Sequence, residues 1–160
     1  MKLLKLGTIV RDMATRLYGM LTHVQIAKDG SEFYNFQPKG LNLEDGTPVK
    51  GIWVTHDRIC DGKRVDVDMP MELLGTVVED LASGYKGTVT SLTLHIDGCI
   101  HALVQASGRS KKTGNAVESC DFDIRRLKGK KVPVFTEPEL KKSILDRPSP
   151  ILTEAYTPRV

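Results

Sequence analysis

The chain has 160 residues, of which 40% are hydrophobic and 27% charged, and its net charge is +3. Such a composition fits a folded water-soluble protein, and no apolar run reaches the length of a membrane-crossing helix, so a membrane partner is not expected. The opening Met1-Lys2-Leu3-Leu4-Lys5 is too short for a signal peptide, which makes a cytoplasmic place of synthesis the expectation and predicts reduced, partly buried thiols at Cys60, Cys99 and Cys120.

The first predicted strand is Gly7-Thr-Ile-Val-Arg-Asp12, ending in an aspartate suited to a turn. A second run, from Gly19 to Ile26, carries apolar Leu21, Val24 and Ile26 and stops at Asp29-Gly30, a strong hairpin signal because both residues tolerate positive φ. A third, Glu32 to Gln37, holds Phe33, Tyr34 and Phe36 and ends where Pro38 withholds a ladder donor. Gly40 to Gly46 reads as a loop and Val49 to Thr55 as a fourth strand, whose Trp53 is expected in the core. A short closing segment follows around Asp57-Arg58-Ile59. In the connector after it, Val65 and Val67 alternate with Asp66 and Asp68, which is consistent with one further strand.

At Leu74 the chain begins again. Shifted by 68 positions, residues 74–127 align with residues 6–59 without a gap, and 15 of the 54 pairs are identical, from Leu6/Leu74 to Arg58/Arg126. Several of the remaining pairs exchange one apolar residue for another, as in Ile9/Val77, Leu21/Val89 and Val54/Phe122. Module two repeats the hairpin at Asp97-Gly98 and carries Phe122 on its fourth strand. Four or five short strands per module, with little helical periodicity, predict an all-β protein of two tandem SH3-like antiparallel barrels. The expected organisation is a first module at 1–60, a connector at 61–72, a second module at 73–129 and a Pro-rich extended tail at 130–160. Five of the eight prolines lie in that tail. Its Glu137 to Leu145 segment is predicted to form a short helix capped by Thr136. The spaced apolar residues Phe135, Leu140, Ile144, Leu145, Ile151, Leu152 and Tyr156 predict docking on a partner surface.

Candidate chemistry is sparse. Cys99, His101, His95 and Cys120 form a possible zinc quartet, but they lack the paired spacing of structural sites, and module one has Ser31, Phe33, Ala27 and Ile52 in their places. No metal or cofactor is therefore expected. The aspartates alternate as on solvent-facing strands, and the glycines at 108 and 114 lack the helix start of a phosphate loop, so the chain is expected not to be an enzyme. The basic residues gather at Arg109, Lys111 and Lys112 and again at Arg125 and Arg126, a set able to neutralise a bound anion.

The motifs Leu6-Gly7, Val10, Asp12, Gly19, Gly30, Pro38, Asp45-Gly46 and Trp53, repeated in part as Leu74-Gly75, Val78, Asp80, Gly84-Tyr85, Gly87, Gly98-Cys99 and Gly114, resemble a group of short tailed-bacteriophage proteins built from one small SH3-like module. The resemblance spans residues 6–127. Arg16-Leu17 departs from it in the first copy, and Ala106 and Asp121 depart from it in the second. It implies phage origin and assigns no biochemical activity. The expectation that follows is a structural or accessory protein of the virion, such as a head-decoration or head–tail protein, made in the host cytoplasm and bound to capsid or head–tail subunits. Self-association into a homo-oligomer is left open. The alternative is a binding module that sequesters a nucleotide signal of host defence through the basic residues; nucleic-acid binding through the same patch ranks third.

Overall fold

A computed structural model describes residues 1–133, with side chains through Gly129. The expected helix at Glu137 to Leu145 and the docking residues from Phe135 to Tyr156 lie outside the described residues. What is described is all-β and antiparallel: β1 (Lys2–Leu4), β2 (Ile9–Asp12), β3 (Tyr18–Ala27), β4 (Glu32–Pro38), β5 (Ile52–Thr55), β6 (Ile59–Cys60), β7 (Arg64–Asp66), β8 (Thr76–Asp80), β9 (Lys86–His95), β10 (Ile100–Gln105), β11 (Cys120–Asp123) and β12 (Leu127–Pro133). The 68-residue offset holds at both ends of β3 and β9 and of β5 and β11. It holds too for the 3-10 turns His56–Arg58 and Ile124–Arg126 that follow the latter pair.

Within module one the strands pair in the order β5-β4-β3-β2-β6, and within module two in the order β11-β10-β9-β8-β12. No closed barrel is found: among the described residues no ladder joins β5 to β6 or β11 to β12. The connector does contribute a strand, β7, which pairs with β1 through Leu3 and Val65. The amide of Leu4 donates to the Tyr34 hydroxyl, which in turn donates to Glu32, so this two-stranded flap is tied to β4.

The two modules share one sheet. β3 keeps β4 along one edge, while its other edge is covered first by β2 and then, beyond an irregularity near Leu21 and His23, by β9. In that last ladder Gln25 faces Thr93, its own equivalent in the other copy, while His23 faces His95 and Ala27 faces Ser91. Exchanging the copies maps the ladder onto itself, which is the isologous geometry of a two-fold dimer carried within one chain. The core is correspondingly undivided. Leu21, Val24, Ile26, Tyr34 and Phe36 from module one form one buried cluster with Leu74, Val78, Val89, Leu92 and Val104 from module two.

Trp53 corrects an expectation: it is 49% exposed, and its neighbour Val54 supplies the core position on β5. Strand side chains alternate between faces, so a one-residue difference in reading reverses inside and outside.

Candidate functional site

The polar residues that the copies share are committed to the fold. Arg58 grips Asp12 with two parallel bonds of 3.0 and 2.7 Å, and Arg126 grips Asp80 at 2.9 and 2.8 Å. Asp12 also accepts from the Thr15 hydroxyl and from the amides of Ala14 and Thr15, and Asp80 from the amide and hydroxyl of Ser83. These donors hold both carboxyls at a pKa of about 2, with Arg58 the leading cause for Asp12 and the Ser83 hydroxyl for Asp80. Thr8 and Thr76 bond the carbonyls of Lys5 and Leu73, Thr22 and Thr90 those of Asn35 and Leu103, and Gln37 and Gln105 those of Val49 and Val117. The shared turn residues Asp29-Gly30 and Asp97-Gly98 make the same hairpin, each aspartate accepting the amide two residues on at 2.9 Å. Identity between the copies thus marks architecture, and a site has to be sought where they differ.

The five basic candidates do not form one cluster. Arg126 is held by Asp80 and stacks over Phe122. Arg125 is forked onto Asp123, which raises its pKa, and its Nη2 lies 3.9 Å from Cys99 Sγ. Arg109, Lys111 and Lys112 sit exposed on the loop equivalent to Gly40–Gly46, closed by an isolated bridge between Arg109 and Ala116. In the matching loop of module one, exposed Leu41, Leu43 and Glu44 stand at the positions of Arg109, Lys111 and Lys112.

A different cluster is brought together on the outer face of the shared sheet. The strand order β5-β4-β3-β9-β10-β11 places Trp53, Phe33, His23, Gln25, Thr93, His95, His101 and Asp121 on one side, opposite the core residues Val54, Tyr34, Val24, Leu92 and Ala102. The rings of His23 and His95 meet edge to face with centroids 4.4 Å apart, and those of His95 and His101 lie 4.5 Å apart. His101 Nδ1 is 2.8 Å from Asp121 Oδ2. His95, His101 and Asp121 each offer a ligand atom, all within 4.8 Å of one another. Burial, followed by the neighbouring His23 and His101, lowers the pKa of His95, which favours the neutral ring.

His95 and His101 stand out in the sequence, but the cysteines considered beside them do not join this cluster. Cys120 precedes Asp121 on β11 and faces Val104 across the ladder, while Cys99 lies beside Arg125. All three thiols are free and half-buried. Two members gave no signal in the sequence: His23 arrives through the β3–β9 ladder and Asp121 through the β10–β11 ladder.

The geometry defines an all-β protein with a fused two-fold sheet and a histidine-rich outer face. Comparison with protein-family models, with curated proteins and with solved structures returns no match.

Proposed function

We propose that this chain is a non-enzymatic contact protein of a tailed-phage particle, a head-decoration or head–tail component made of two SH3-like modules in open form. The resemblance of residues 6–127 supplies the phage setting. The observation that carries the contact role is the outer sheet face: on β4 and β5 it presents Phe33 at 37% exposure and Trp53 at 49%, although the shared polar residues are committed to the fold. Aromatic residues held on a rigid antiparallel sheet lose little entropy on docking and are the usual anchors of a protein interface. The occupant is a subunit of the particle lattice, where two linked modules raise the effective concentration of the second contact.

Mass spectrometry of purified virions tests this reading. The protein is expected in a copy number that fits the symmetry of head or tail, and Trp53→Ser is expected to reduce its occupancy while leaving the fold intact. Absence from particles, together with calorimetric binding of a nucleotide by the free protein, would replace this reading with the sequestering one.

A further inference from the structure

We propose that His95, His101 and Asp121 form a binding site for one borderline divalent cation of the zinc class, placed beside the seam between the two modules. The inference is independent of the phage reading. Two imidazoles and a carboxylate are a donor set suited to such ions, and hard ions such as magnesium prefer oxygen alone. The three ligand atoms already lie within 4.8 Å of one another. A tetrahedral site with bonds of about 2.0–2.1 Å needs them about 3.3 Å apart, a spacing that side-chain rotation on fixed strands can reach.

The second observation is His95 Nε2. It is shielded from solvent and has no hydrogen-bond partner, a condition it shares among the described side chains with Arg11 Nε. A buried polar atom left unpaired costs about 1–3 kcal/mol, so a cation that accepts this nitrogen's lone pair would relieve that cost. Arg11 has its guanidinium over the Tyr18 ring, 5.8 Å from the centroid, and lies on β2. The His95 ring instead belongs to the cluster that carries His101 and Asp121. The 2.8 Å contact between His101 and Asp121 is the place where a cation displaces a shared proton, and Asp121, half exposed, leaves a route from solvent. His23 is a positioning residue: its Nδ1 contacts the Thr22 hydroxyl at 2.9 Å, and its ring meets that of His95 edge to face. Module one has Ala27, Phe33 and Trp53 at the three ligand positions, so the stoichiometry is one ion per chain.

The test titrates the full chain, freed of metal, with Zn²⁺ by calorimetry and with Co²⁺ by visible absorption. One equivalent of Zn²⁺ is expected to bind, with ligand-field bands of low-symmetry Co²⁺. His95→Ala and His101→Ala should each weaken binding by at least about tenfold. His56→Ala, which removes the one histidine outside the cluster, and Cys99→Ser should leave it unchanged, and Mg²⁺ should not compete. Circular dichroism confirms that each variant is folded. Failure of the unaltered chain to bind Zn²⁺ would overturn the proposal, as would equal affinity in folded His95→Ala, or loss of binding on Cys99→Ser.

Discussion

Asp12 and Asp80 are closed off from solvent, and each stays ionised because an arginine and a turn of donors surround it. Their pKa values of about 2 lie below the ordinary 3.8, so the unfolded chain takes up protons before the folded one as the solution is acidified. The stability they contribute is therefore complete above pH of about 4 and is lost as pH falls towards about 2. Thermal unfolding followed between pH 5 and pH 2 is expected to show a falling melting temperature across that window. In the double variant Asp12→Asn, Asp80→Asn the melting temperature should start lower and depend less on pH. The equivalence of the two aspartates also predicts similar losses from either single variant, because both accept the same bidentate guanidinium from a residue 46 positions later.

Each long central strand depends on one close approach. A Cβ on Gly87 would lie 2.4 Å from the carbonyl oxygen of Gln105, and one on Gly19 would lie 2.4 Å from that of Gln37. The nearest atom in each case is backbone, which cannot yield without opening the ladder, and Gly19 also has the Phe36 ring 2.7 Å away. Gly87→Ala is expected to destabilise the chain by about 2–3 kcal/mol in denaturant titration, in the upper range for overpacking. Gly98→Ala, at a hairpin φ of +87° with open space around it, should lose only about 1 kcal/mol from backbone strain. Elements of this kind were legible in the sequence, because Asp29-Gly30, Asp97-Gly98 and Pro38 mark strand ends through local chemistry. The β3–β9 ladder was not legible, since pairing between strands so distant in sequence leaves no short-range pattern. For the same reason His23 gave no hint of joining His95 and His101. Trp53 was misread because apolar character alone does not set which face of a short strand is buried; Ile52 and Trp53 are both exposed there.

At the scale of the whole molecule, the two modules are halves of one core and one sheet. A fragment limited to residues 1–68 would keep β1 to β7 yet leave the His23–Ala27 edge of β3 without its partner. An open edge of that kind recruits another chain. The fragment is thus expected to dimerise through a copy of the β3–β9 ladder, with Gln25 facing Gln25. Light scattering after gel filtration should give twice the fragment mass; a stable, folded monomer would contradict the two-fold account of the seam.

The seam also sets an order of events during folding. Its paired residues are separated by 64 to 72 positions along the chain, whereas β3 meets β4 across the short turn at Asp29-Gly30 and β9 meets β10 across the one at Asp97-Gly98. Hairpins close quickly because little chain must be restrained, while a distant ladder has to wait until a long loop has been brought together. The hairpins of both copies are therefore expected to form first, with the joining step limiting the rate; a folding rate in stopped-flow refolding that is unchanged by weakening the β3–β9 ladder would contradict this order. The contact of His23 with His95 on the outer face exists only once that step is complete.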